Sequence, residues 1–173
     1  MGVNPLVSML LSIASTSPAA GGGGGLEVHF LYSLRDPGAG GEGRRRREAR
    51  NMLFLERISR VFRQGKVRGS LEVFLTGGGG EGQERAEGER VIHCRDGGNG
   101  DGDGDEYIIP FHARRCTVDD DIAKALGSPA ERRFAVVYVC GVPTMTDQFV
   151  ARLTDHRSGL GLEPHRVLCE KWW

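Results

Sequence analysis

Phe134-Ala135-Val136-Val137-Tyr138-Val139 runs without a charge and stops at Cys140-Gly141-Val142-Pro143. A short, β-branched and aromatic run with no polar alternation predicts a strand buried on both faces, the kind found in parallel sheets. Gly141 and Pro143 break it. Thr144 then predicts the cap of a helix through Asp147, Phe149, Val150 and Leu153, over about 144–155. A cysteine is thereby placed where strand gives way to helix. In open α/β sheets that carboxyl edge is where ligands bind.

The remaining chain alternates in the same way. Asn4 as N-cap and Pro5 as first helical residue open a helix over 5–15, with Leu6, Met9, Leu10 and Ile13 as its stripe. Strands are predicted at 26–33, 71–76, 134–140 and 166–170, and helices also at 47–64 and 118–126. The stripe of the 47–64 helix is Met52, Leu53, Leu55, Ile58, Ser59 and Phe62. Thr117 and the acids at 119–121 suit the start of the 118–126 helix. Gly159 and Gly161 close the helix before the last strand. Alternation of this kind implies βαβ crossovers and one parallel sheet covered on both faces, in a single domain over 1–173.

Three stretches interrupt that pattern, at about 16–25, 37–47 and 77–105. The last holds 11 glycines in 29 residues. Its composition buries little apolar surface, so a long solvated loop is expected, with one short strand near 90–94. The arginines at 44–47 read as solvated loop, and Arg35-Asp36-Pro37-Gly38 as a solvated turn.

Composition excludes several classes. Lys plus Arg and Asp plus Glu are balanced at 23 each, which argues against a nucleic-acid partner. Cys94, Cys116, Cys140 and Cys169 form no C-x-x-C pair and read as reduced, buried thiols of an intracellular protein. His112 and Cys116 have helical ligand spacing but no second pair, so no metal site is expected. The apolar residues 5–14 are too few to span a membrane, and no basic segment precedes them as in an intact targeting peptide.

Cys140-Gly141-x-Pro143-x-Met145 resembles the C-G-P-P-x-M motif of the ferredoxin–NADP reductase superfamily, with Val142 in place of the first Pro. Leu168-Cys169-Glu170-Lys171-Trp172-Trp173 is similar to the terminal strand of that family. Gly2-Val3-Asn4-Pro5-Leu6 is similar to the second half of its pyrophosphate loop. The three motifs stand in the expected order and span the chain. The likeness is greatest to the oxidoreductase NAD-binding domain-containing proteins, a branch that tends to end in E-K-W-W. The resemblance implies a three-layer, parallel-sheet NAD(P)-binding domain of the reductase carboxyl-terminal type. Its first strand and its FAD-binding domain would be missing from this chain, as in an N-terminally truncated protein. A mitochondrial location is also what the family suggests.

The same resemblance implies roles for particular residues. Gly2, Val3, Asn4 and Pro5 would cradle a pyrophosphate at a helix N-terminus, where backbone N–H groups and the helix dipole favour anions. Cys140 would lie beside the nicotinamide C4, aligning the ring with the flavin rather than attacking it; a small, polarisable side chain permits close stacking. Gly141, Pro143 and Met145 would shape that turn. Glu170 and Trp172 would stand at the same centre, with Trp172 stacking on the flavin. Ser33 and Arg35 would lie near the adenosine ribose. Arg35 and Asp36 are adjacent, which leaves NADH and NADPH equally open.

The residues alone also admit plainer readings. Asn4 then caps an ordinary helix, Cys140 is a core thiol, and Trp172 and Trp173 are a hydrophobic tail packed on its own domain. Two functions follow: the NAD(P)H-binding domain of a flavin-dependent oxidoreductase, or a truncated, non-catalytic nucleotide-binding or interaction module.

Overall fold

A computed structural model describes residues 4–16, 26–38, 46–77, 90–95 and 105–172. The chain is mixed α/β and divides into two compact units, Ile13–Arg115 and Met1–Ser12 with Cys116–Trp173. Each contains its own sheet. Gly2, Val3 and Trp173 lie outside the described residues.

In the Ile13–Arg115 unit, β1 (Glu27–Arg35), α2 (Leu55–Arg63) and β2 (Arg68–Thr76) make a β-α-β unit. The two strands are parallel as expected, level from Glu27↔Arg68 to Arg35↔Thr76. β2 starts before its apolar run because Gly69 admits close approach. Gly69 has φ 125°, and a Cβ there would lie 1.9 Å from the Val28 carbonyl oxygen. β3 (Val91–Arg95) is the short strand expected near 90–94. β4 (Glu106–His112) was not foreseen, and the sheet order is β1-β2-β4-β3. β4 is parallel to β2 but antiparallel to β3, so the sheet is mostly rather than wholly parallel.

The expected helix over 47–64 is broken. Ala49–Asn51 is one 3₁₀ turn, Phe54 takes a left-handed φ of 60°, and only then does α2 begin. The break turns Leu53 outward to 50% exposure while Met52, Leu55 and Ile58 stay buried. Packed with Phe30, Val73, Phe74, Ile92 and Phe111, they form the core of this unit. Each such fully buried side chain contributes about 1.5–3 kcal/mol by leaving water.

Two solvated-surface expectations fail here. Asp36 is buried, and Arg47 clamps its carboxylate through Nη2–Oδ2 at 2.7 Å and through Nε. The Arg47 guanidinium also lies 5.1 Å from the Phe111 ring centroid. A carboxylate at 4% side-chain exposure needs such a partner, because a lone charge there is strongly disfavoured.

In the other unit, Thr117 caps a π turn, Val118–Ile122, that leads into α3 (Ala123–Leu126). Asp121 accepts from the Thr117 amide at 2.8 Å. α4 (Pro129–Arg132) follows, with a Ser128–Glu131 capping box that was not anticipated. β5 (Val137–Gly141), α5 (Pro143–Thr154) and β6 (Val167–Lys171) form a second β-α-β unit, and β5 and β6 are parallel as expected. They make a two-stranded sheet of their own rather than part of one four-strand sheet. Val139, Leu153, Leu162, Val167 and Val118 form its core.

The run that predicted a doubly buried strand is buried on one side only. Phe134 and Val136 precede β5 and are 72% and 61% exposed, while Val139 is buried. The first helix, α1 (Asn4–Thr16), buries Val7 and Leu10 and leaves Met9 exposed. Among the described residues no helix is long and apolar enough to cross a membrane.

Candidate functional site

Side chains alternate along a strand, and residues level in a parallel pair share a face. Cys140 is level with Glu170, and Tyr138 with Leu168. Tyr138, Cys140, Glu170 and Trp172 therefore project from one face of the β5–β6 sheet. Val137, Val139 and Val167 project from the other face, into the core. The Trp172 indole Nε1–H donates to Cys140 Sγ at 3.0 Å, and the Tyr138 hydroxyl donates to Glu170 Oε2 at 3.1 Å. The Trp172 amide donates to the Gly141 carbonyl at 3.0 Å, which fixes the tail against the end of β5. Cys140, Glu170 and Trp172 thus share one face, with Trp172 bonded to Cys140 and Glu170 level with it.

Burial pushes the Cys140 thiol up from its ordinary value; the Trp172 N–H partly offsets this and the Glu170 charge adds to it. At neutral pH Cys140 is a thiol, a weak nucleophile. Burial also raises the Tyr138 phenol, with the Glu170 hydrogen bond as the next cause, so it stays a donor.

α5 begins at the same edge. Val142, not Thr144, is its N-cap, with no side-chain capping bond, and Pro143 is its first residue. The first bond of the helix runs from Thr146 N–H to the Val142 carbonyl at 3.0 Å, so the Thr144 and Met145 amides precede the ladder. A Cβ at Gly141 would lie 2.3 Å from Met145 Cε, the flexible tip of that side chain, so a larger residue would displace the methionine end. Met145 in turn packs on the core cluster. Thr146 is fully buried, and its Oγ1 has no hydrogen-bond partner among the described residues. Sequence reasoning passed over both Tyr138 and Thr146. The period of two that places Tyr138 on the Cys140 face was readable; the orphaned hydroxyl was not.

The other expected positions are dispersed. Asn4 and Pro5 open α1. Ser33 and Arg35 belong to the other unit, inside β1 rather than after it, and both are exposed. Of the cysteines only Cys94 is buried; Cys116 and Cys140 are intermediate, and Cys169 is exposed, against the expectation of buried thiols. All four are free. The described residues contain no group of His, Cys, Asp and Glu able to hold a metal.

A second ionisable cluster lines a cleft of about 250 Å³ in the Ile13–Arg115 unit. Arg46 pairs with Glu106, and Arg50 with Glu48. Arg46 Nη2 donates to His93 Nδ1 at 2.8 Å. Burial, then the Arg46 charge, lowers the His93 pKa, opposed by Glu48. These charges satisfy one another, as in a structural network.

Compared with known protein families, curated proteins and solved structures, the chain matches none.

Proposed function

We propose that this chain is the NAD(P)H-binding part of a flavin-dependent oxidoreductase, with its reacting centre at Cys140, Glu170 and Trp172. The observation that carries this is the Trp172 indole held on the Cys140 thiol at the carboxyl edge of a parallel strand pair. The donor set fits the ring of a nicotinamide: a neutral thiol, an aromatic plane and a carboxylate on one face. When bound, nicotinamide supplies a hydride and FAD, held outside these residues, accepts it. Cys140 keeps the surface beneath the ring small. Trp172 covers the ring's place until the nucleotide displaces it. The free amides at the start of α5 and those near Asn4 and Pro5 face anionic parts of the dinucleotide. Gly141, Pro143 and Met145 fix the turn that carries Cys140.

The test is binding of NADH and NADPH to the full chain, followed by indole fluorescence. Energy transfer from Trp172 to dihydronicotinamide is expected with at least one of them, and its amplitude falls in Trp172→Leu. Cys140→Leu weakens binding by crowding the ring. If neither nucleotide changes the emission, the reductase reading is wrong. An interaction module is the second reading, favoured by the exposed Phe134 and Val136 ahead of β5, a strand with one ladder partner among the described residues.

A further inference from the structure

We propose that Tyr138 is a positioning residue for Glu170: by holding that carboxylate it leaves the Trp172 indole N–H to Cys140. This rests on the reading of Cys140, Glu170 and Trp172 as one site. Trp172 Nε1 is a single donor on a face that carries two acceptors, the Cys140 sulfur and the carboxylate of Glu170, two residues before Trp172 in the chain. A carboxylate is much the stronger acceptor, and a thiol a weak one. Left to themselves, these groups would pair indole with carboxylate. The bond observed is the weaker one, to sulfur at 3.0 Å.

Tyr138 explains why. Its hydroxyl donates to Glu170 Oε2 at 3.1 Å, from two residues before Cys140 on the same strand face. The carboxylate is drawn toward the start of β5, although its level partner across the sheet is Cys140. Glu170 and Trp172 thus leave β6 on the same side and hydrogen-bond to different residues of β5. Phenol holds acid, indole holds thiol, and the thiol keeps its donor.

The experiment is alkylation of Cys140 by iodoacetamide in the full-length chain, from pH 7 to 10, followed peptide by peptide so that Cys169 does not interfere. Tyr138→Phe keeps the ring and removes only the hydroxyl. The freed Glu170 then takes the indole N–H, and Cys140 alkylation slows roughly threefold, the scale of one lost neutral hydrogen bond. In Glu170→Gln, where the acceptor is uncharged, adding Tyr138→Phe changes the rate little. The proposal is overturned if Tyr138→Phe reacts like the unaltered chain, if the slowing persists in the Glu170→Gln background, or if the reaction accelerates. Local unfolding would accelerate it, so a structural defect cannot imitate the expected result. NADH binding to the same variants separates the two ideas: failure to bind refutes the reductase reading while the alkylation pattern still tests Tyr138.

Discussion

The two sheets treat polar groups at their carboxyl ends in opposite ways. Beyond β1 the chain buries a carboxylate and completes its pairing, with Arg47 gripping both Asp36 oxygens and the Gly38 amide adding a third donor. Beyond β5 the pairing is loose: an indole on a thiol, a phenol on an acid, and a buried hydroxyl with no described partner. Fully satisfied networks rigidify a fold, whereas under-satisfied polar groups mark places where something else completes the set. Asp36 and Arg47 form a closed pair, whereas the groups around Cys140 are held by weaker bonds.

The sharpest way to break it is Arg47→Met, which strands the Asp36 carboxylate. A loss of about 3–5 kcal/mol is expected, read as faster amide exchange in β1, β2 and β4. Unchanged exchange would show that the clamp does not hold the first sheet. Leu153→Ala removes a fully buried side chain from the other core, at a cost of about 3 kcal/mol. Its exchange signature should appear in β5, α5 and β6; an equal effect in β1 and β2 would deny that the cores are separate.

Thr146→Val sharpens the contrast from the other side. Replacing an orphaned buried hydroxyl by a methyl group should stabilise α5 by about 1 kcal/mol, seen as a higher denaturant midpoint. Destabilisation would mean the hydroxyl is already satisfied. The smallest effect concerns His93. Its folded pKa lies below the unfolded one, so the folded state binds fewer protons in acid. Its contribution is present above about pH 6.5 and is lost as pH falls through the folded value. His93→Gln should flatten the decline in stability of the first sheet between pH 7 and 5; an unaltered decline would assign it to other groups.

Legibility followed the same division. The β-α-β units were readable because each joins apolar runs through a stripe at helical spacing, and Thr117 announced its turn by hydroxyl and acids together. β4 was hidden by Pro110, which removes a ladder donor. It is tolerated because the β2 ladder begins only at Phe111, and the Phe111 amide bonds the Arg90 carbonyl. The break at Phe54 left no trace, since the stripe through Met52, Leu53 and Leu55 suits a continuous helix. α4 carried a readable signal in Ser128, Pro129 and Glu131. At the candidate site, Cys140, Glu170 and Trp172 were legible as a motif, but which acceptor each donor would choose was not. That choice depends on register across two strands 26 or more residues apart. Phe134 to Val136 misled for a related reason: an apolar run fixes what a segment prefers, not how many strands lie beside it.

Arg47 closes a tract of four successive arginines, after glycine-rich sequence that reads as filler. For anyone shortening this chain, the tract has a hard edge. A deletion that takes Arg46 removes the partner of Glu106, and one that takes Arg47 removes the clamp itself. The arginines that make these bonds thus stand at the end of a run of identical letters, where alignment by composition would slide freely.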